Sequence, residues 1–397
     1  MARFCPNPAC GKRYPDDAAF CGECGSITIQ EQRAGDVDAR LGTRLGDYLV
    51  VARVADGAMG RVYEGRHHTT RERVAIKVLH ADVARDPVAV ERFKREYEAA
   101  RDLAHPNVVR VIEFGTTPEG QSFLTMEFLE GEELGNVLRR GQPLEAARIL
   151  RVFSQLARGL DHAHSFGVIH RDLKPDNIFL CRSPEGDVVR LLDFGSVKLQ
   201  MESGPKLTAF GTTLGSPFYM SPEQAMGKAD VDTRTDVFAL AAILYECLTA
   251  KIAFDAPNVA QILMKIINQP TVPPTQQVAG LPPRIDDVVD KGLRKDKTKR
   301  YDTASKLVLG VCDAYGVEAN VEHWATTSMA DITAALASAR APAAAAFVES
   351  IRPSSLPTAG SSSTSSYSPP TRSSGVVIGV AVGAVAVVAV VAALLLR

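Results

Sequence analysis

The sequence lacks a surplus of either charge. Its 45 lysines and arginines face 46 aspartates and glutamates, which excludes a chain-wide basic binder of nucleic acid and an acidic solvated tail. It lacks an even set of cysteines. Seven cannot all pair, so a complete disulfide framework is excluded. It lacks an apolar run near its start, where Met1-Ala2-Arg3-Phe4 leads straight into Cys5-Pro6, so no secretory signal is expected. No internal repeat of fixed period is visible.

What is present suits a globular protein of two to three domains. Of 397 residues, 46% are hydrophobic and 23% charged, enough apolar surface for a large core. Composition separates four regions. Residues 1–30 hold four of the cysteines, and residues 48–315 alternate strand-like and helical patterns. Residues 316–375 turn rich in Ala, then Ser and Pro. Residues 376–396 carry no charge. Within 353–374 there are ten Ser, four Pro and no acidic residue. That composition cannot offset chain entropy by burial, so 316–375 is expected to be a largely disordered linker, with helical stretches such as Met329–Ala339.

In the large region, Tyr48–Val54, Arg61–Gly65, Arg73–Leu79, Val108–Phe114 and Gln121–Phe128 read as strands. Val88–Leu103, Ala146–Phe166, Thr235–Thr249 and Val259–Ile267 read as helices. A small β-rich half followed by a larger α-rich half is the expected α+β arrangement.

Four motifs carry chemistry. In Val54-Ala55-Asp56-Gly57-Ala58-Met59-Gly60-Arg61-Val62, the glycines lie between strands and would let backbone approach phosphates. An ordinary hairpin turn explains them equally well. No helix follows as in a dinucleotide fingerprint, and no Lys-Ser/Thr pair as in a Walker A loop. In Val74-Ala75-Ile76-Lys77, the lysine can reach back to α- and β-phosphates and needs a carboxylate to hold it. Glu96 is the candidate, ahead of Glu98 and Glu91. In His170-Arg171-Asp172-Leu173-Lys174-Pro175-Asp176-Asn177, Asp172 can accept a hydroxyl proton. Lys174 can neutralise a moving phosphoryl group, and Asn177 offers a neutral oxygen to Mg²⁺. Asp193, in Asp193-Phe194-Gly195, is a second hard oxygen donor.

With these motifs in this order, the chain resembles the eukaryotic-type (Hanks-type) serine/threonine protein kinases over residues 48–315. Ser221-Pro222-Glu223 stands for Ala-Pro-Glu, Asp236 opens a helix, and Arg300 follows late in the region. The resemblance implies a bilobal protein-kinase fold with a small β-rich N-lobe and a larger α-rich C-lobe. It implies ATP and Mg²⁺ as cofactors and protein substrates as partners. Lys77 would hold the α- and β-phosphates and pair with Glu96. Asp172 would be the catalytic base, and Asn177 and Asp193 would hold Mg²⁺. Met126 would be the gatekeeper, with the backbones of Glu127 and Leu129 on adenine and Val62, Ala75 and Phe179 about the base. Glu133 would reach the ribose. Lys174 implies Ser/Thr rather than Tyr specificity. Arg171 would meet a phosphate on Thr208, Thr212 or Thr213. Asp236 would brace the catalytic loop, and Arg300 would pair with Glu223.

Ala55 departs from the family's first loop glycine, Ser216 from its usual Thr, and Ala241 and Ala253 from a common Gly and Pro. None removes a charged catalytic group, so an active enzyme is expected over a silent scaffold.

Cys5-x4-Cys10 and Cys21-x2-Cys24 are two close pairs separated by ten residues. Four thiolates suit tetrahedral Zn²⁺, and the segment resembles a zinc ribbon. A rubredoxin-like iron site and a redox-active cluster are the alternatives. Arg3, Lys12 and Arg13 are balanced by Asp16, Asp17 and Glu23, so no nucleic acid is expected as a partner. Val376–Leu396 would make about 31 Å of helix, enough to span a bilayer. A single-pass cell-membrane anchor is expected, with the kinase region on the cytoplasmic side, where ATP and reduced thiolates are found. Gly379 and Gly383 form a Gly-x3-Gly face that would allow a homodimer.

Overall fold

The computed structural model describes residues 2–32, 37–194 and 217–350, with side chains described through residue 339. The chain divides into two units, Met1–Val348 and Glu349–Arg397, and nearly all described residues belong to the first. The expected span 376–396, the residues Gly195, Thr208, Thr212, Thr213 and Ser216, and the Ser/Pro-rich 353–374 lie outside the described residues. Among the described residues no helix is long and apolar enough to cross a membrane.

The N-terminal thirty residues form a small sheet of β1 (Arg3–Phe4), β2 (Arg13–Tyr14) and β3 (Ile29–Gln30), in the order β2-β1-β3. Next comes a six-stranded antiparallel sheet. Its strands are β4 (Arg44–Leu45), β5 (Tyr48–Asp56), β6 (Gly60–His67), β7 (Arg73–Leu79), β8 (Val111–Thr116) and β9 (Ser122–Glu127), ordered β4-β5-β6-β7-β9-β8. Between β7 and β8 runs α1 (Pro87–Arg101). Alternation along β7 is strict: Val74, Ile76 and Val78 are buried in one core, while Ala75 and Lys77 are half-buried on the other face. That period of two turns the lysine toward the cleft.

Helix α1 starts where Asp86 accepts the Val88 N–H and Pro87 takes the first turn, a favourable start because proline has no N–H to leave unsatisfied. Phe93, Glu96 and Ala100 are its buried residues. Their spacing of three and four puts Glu96 on the inner face between two apolar neighbours.

The larger lobe begins with β10 (Gly131–Glu133), α2 (Leu134–Leu138) and α3 (Ala146–Ser165), followed by β11 (Ile178–Cys181) and β12 (Val188–Leu191). Strands β10, β11 and β12 form a second antiparallel sheet. Then come α4 (Pro222–Ala225), α5 (Arg234–Thr249), α6 (Val259–Asn268), α7 (Pro274–Gln277), α8 (Arg284–Gly292) and α9 (Ala304–Tyr315). Helix α5 is buried almost throughout. It packs with α3, α8 and α9 around one core containing Phe153, Phe238 and Phe254.

The expected linker 316–375 is corrected at its start. Residues 321–350 form α10 (Val321–Thr326) and α11 (Met329–Ser350), with Trp324, Ile332 and Leu336 buried in the large core. Arg158 pairs with Glu322 at 2.8 Å, and Arg151 donates to the Thr327 carbonyl. The helix expected at Met329–Ala339 is present within α11, and its Ile332 and Leu336, four residues apart, join Trp324 of α10 in docking the segment.

Candidate active site

The glycine motif is the hairpin joining β5 to β6. Val54, Ala55, Asp56, Gly57, Ala58 and Met59 are exposed, Gly60 is buried, and Arg61 and Val62 are half-buried. Gly57 donates to the Gly60 carbonyl at 3.0 Å. The need for Gly60 is local: a Cβ there would sit 2.4 Å from the Val78 carbonyl oxygen. Asp56 pairs with Arg61 at 2.8 Å, and His80 Nε2 contacts the Gly57 carbonyl at 2.8 Å.

Beneath the hairpin, Val62 is in register with Lys77, and Ala75 with Met126. These four side chains therefore share the cleft face of the sheet. Lys77 Nζ lies 3.1 Å from Glu96 Oε1 and 3.1 Å from Asp193 Oδ1. The rival carboxylates are elsewhere: Glu98 pairs with Lys94 and Glu91 with Arg95 on the outer face of α1. Burial works against the Lys77 ammonium, but two carboxylates outweigh it and the group stays firmly cationic. Burial pushes the Glu96 carboxyl up, against the pull of Lys77. Burial would raise Asp193 too, yet the charge of Lys77 prevails and holds it low.

The segment between α3 and β11 is held from below. Asp236, fully buried at the start of α5, accepts the main-chain N–H of His170 and of Arg171, each at 2.9 Å, and contacts His164 Nε2 at 2.7 Å. His170 Nε2 meets the Leu192 carbonyl at 2.9 Å, and its ring packs 4.8 Å from that of Phe194. Arg171 and Asp193 both have positive φ, 63° and 53°. Each costs on the order of 1–2 kcal/mol for a side-chain-bearing residue. On this frame Lys174 Nζ donates to Asp172 Oδ2 at 2.7 Å, and Asn177 Nδ2 donates to the Asp172 carbonyl at 2.7 Å. With its amide nitrogen so committed, Asn177 keeps its oxygen as a ligand, and Asp193 adds a carboxylate. These are hard donors of the kind Mg²⁺ takes. The Arg171 Nε is buried and has no hydrogen-bond partner among the described residues. Burial lowers its proton affinity, so an anion there would be welcome.

Toward the C-terminal side of the site, Arg300 donates through both terminal nitrogens to Glu223, each at 2.7 Å. Thr235 adds a third bond to that carboxylate at 2.8 Å.

At the back of the cleft, β9 ends at Glu127. Its N–H is committed to the Arg110 carbonyl at 2.9 Å, and its side chain accepts the Arg110 N–H at 2.8 Å. The Glu127 N–H is therefore taken within the protein. Phe179 lies on β11, in register with Glu133 on β10. Glu133 precedes α2 and stands 3.8 Å from Arg139. Burial pushes its carboxyl up.

Some contributors carry no signal in the chain's local pattern. His164 holds Asp236 from 72 residues away, and the Leu192 carbonyl holds the His170 ring from 22. Gly135 lets α2 press on this loop: a Cβ there would lie 2.2 Å from Asp176 Oδ1.

In the N-terminal sheet, Cys5, Cys10, Cys21 and Cys24 bring their Sγ atoms within 4.8 Å of one another, with Cys5–Cys24 and Cys10–Cys21 at 3.5 Å. Four sulfurs about 2.3 Å from a tetrahedral Zn²⁺ would be about 3.8 Å apart, so the cluster fits that ion. The Tyr14 hydroxyl lies 3.0 Å from Cys21 Sγ and brings that thiol down to about 6.

Comparison with known proteins agrees with this geometry. The family described as protein kinase domain matches residues 48–309. Serine/threonine-protein kinase Pkn1 of Myxococcus xanthus is 36% identical over 306 residues, 74% of this chain and 43% of that protein. Serine/threonine-protein kinase PknH of Mycobacterium tuberculosis is 37% identical over 277 residues, 70% of this chain and 43% of that one. The chain thus spans about half the length of these curated relatives or less. Among solved structures, the Mycobacterium tuberculosis PknI kinase domain superposes with a TM-score of 0.57 at 26% identity. The match covers 70% of this chain and 99% of that one.

Proposed function

This chain belongs to the protein kinase family, and on that premise we propose that it is a membrane-anchored serine/threonine kinase passing the γ-phosphoryl group of ATP to protein hydroxyls. One observation carries the reading. Lys77 stands between Glu96 and Asp193, and the Asp172–Lys174–Asn177 cluster is fixed on the same cleft. A silent scaffold has no need to retain all six groups in contact.

Each residue's part follows from its chemistry. Lys77, oriented by Glu96, binds the α- and β-phosphates. Asp172 receives the proton of the substrate hydroxyl and aims its oxygen. Lys174, on Asp172 in the free enzyme, offers its charge to the transferring group. Asn177 and Asp193 would hold Mg²⁺, which supplies charge neutralisation at the β- and γ-phosphates. Arg171 would receive a phosphate placed on Thr208, Thr212 or Thr213 by autophosphorylation.

The remaining parts extend the reading. The four cysteines bind structural Zn²⁺. Residues 376–396 anchor the chain in the cell membrane with the kinase region on the cytoplasmic side, and Gly379 with Gly383 supports pairing of two copies. The test is phosphoryl transfer from labelled ATP by wild type and by Asp172→Asn. Transfer by the wild type alone supports the reading, and equal transfer by both removes it. Reconstitution of the full chain and of a chain ending at residue 375 with vesicles tests the anchor: only the former should float with lipid.

A further inference from the structure

The cysteine-bearing sheet is not a free module. Arg3, two residues before Cys5, donates from Nη2 to Glu64 Oε2 on β6 at 2.9 Å. The two side chains are 9% and 3% exposed. Arg3 Nε is held from the other side by the Asp16 carbonyl at 2.7 Å. Phe20 lies under the guanidinium groups of Arg66 and Arg71, at 5.8 and 5.5 Å. Gln30 on β3 accepts the main-chain N–H of Arg53, next to Val54, at 3.0 Å.

Glu64 is the node of this contact. It is two residues beyond Val62 and in register with Ala75, so it shares the face that lines the cleft. Besides Arg3 it accepts Arg66 Nε at 3.2 Å and Arg73 Nε at 3.1 Å. The Arg73 guanidinium in turn lies 3.6 Å from the centre of the Phe128 ring, in the segment that joins the two lobes. A chain of contacts thus runs from the cysteine cluster through Arg3, Glu64 and Arg73 to Phe128. A parallel thread reaches the glycine hairpin. Buried Asp38 accepts Arg61 at 3.0 Å and the Tyr63 hydroxyl at 2.9 Å, and Arg61 holds Asp56.

We propose that the metal-holding ribbon is a built part of the nucleotide pocket, and that Glu64 is the positioning residue through which it acts. With the ribbon folded, Arg3 fixes Glu64, and Glu64 fixes β6 and the Arg73–Phe128 contact in the arrangement that takes ATP. With the metal lost, the ribbon has too little core of its own to stay folded, and Arg3 leaves a buried carboxylate among the remaining arginines. Nucleotide affinity therefore reports the state of the four-cysteine site, while the chemical step, run by Asp172 and Lys77, is unaffected once ATP is bound. The inference rests on reading the cleft as an ATP site.

The test uses the full chain in detergent, with zinc content measured and a fluorescent ATP analogue as the probe. Stripping zinc from the wild type should weaken nucleotide binding about tenfold, the equivalent of one charge-assisted hydrogen bond, and raise KM for ATP to match, with kcat little changed. Arg3→Met, zinc still bound, should show the same KM shift. Stripping zinc from that variant should add nothing, because the link is already cut. Arg3→Lys should restore much of the affinity. Glu64→Gln should behave like Arg3→Met; if it fails to fold, Arg3→Met alone decides. An Arg3→Met protein with wild-type KM, or zinc loss that lowers kcat and spares KM, overturns the proposal. A wild type that binds no nucleotide overturns instead the ATP-site reading beneath it.

Discussion

Arg300 and Glu223 meet across 77 residues in a two-pronged ion pair, 2.7 Å on each prong, with side chains 0% and 5% exposed. Breaking one partner of such a pair leaves a buried charge without compensation, at a cost of about 3–5 kcal/mol. Arg300→Met should lower the denaturant midpoint accordingly, with the slope unchanged. Thr235→Val, which removes only one neutral donor, should cost about 1 kcal/mol. Equal, small effects from both would show that the pair carries no special weight.

The same pair sets an acid limit. Burial opposes the Glu223 carboxylate, but its bonds to Arg300 prevail, so it titrates below its unfolded range. Its contribution is complete above the unfolded value of about 4.3 and is lost as pH falls through the depressed folded value. Urea midpoints measured from pH 6 downward should therefore fall less steeply in Glu223→Gln than in wild type. Parallel curves would contradict this.

Asp236 accepts two main-chain N–H groups of the catalytic loop. Asp236→Ala strands both donors in the interior, at about 1–3 kcal/mol each. It should also free Arg171 from its positive φ. The expected result is loss of stability together with a fall in kcat. Asp236→Asn keeps one acceptor oxygen and should lie between. Activity tracking stability alone in both variants would argue against a positioning role.

Much of the kinase site is legible in the sequence. Lys77 and Glu96 are legible through the ordered motifs and the family they resemble, and the structure adds why they meet: alternation along β7 and the 93-96-100 spacing of α1 turn both toward one cleft. Contacts that depend on distant segments were not legible. Arg3 reaches Glu64 across 61 residues, and nothing near either residue marks the other. The loop glycines read equally as room for phosphate or as a plain hairpin turn, and at Gly60 the Val78 carbonyl by itself demands a glycine. The region after residue 316 read as linker on the Ser- and Pro-rich composition of 353–374, with helix expected at Met329–Ala339; that helix is present, and Trp324, Ile332 and Leu336 dock the segment to the large lobe.

Metal removal separates the ribbon from the lobes. A strong chelator should release one zinc per chain and unfold residues 1–30, while the 48–315 region keeps a cooperative transition at a lower temperature. Iron in the purified protein, or no metal at all, would contradict the zinc assignment. Loss of the whole transition would show that the lobes depend on the ribbon to fold.

Asp172 and its neighbours are proposed to carry out phosphoryl transfer. The most direct test incubates the full chain in detergent with Mg²⁺ and labelled ATP, beside Lys77→Met and Asp172→Asn. The account predicts label on serine or threonine in the wild type, with Thr208, Thr212 or Thr213 among the sites, and a loss of about 10²-fold or more in each variant. Nucleotide bound by the wild type with no transfer to itself or to a panel of Ser/Thr peptides, or equal transfer by Asp172→Asn, would contradict it.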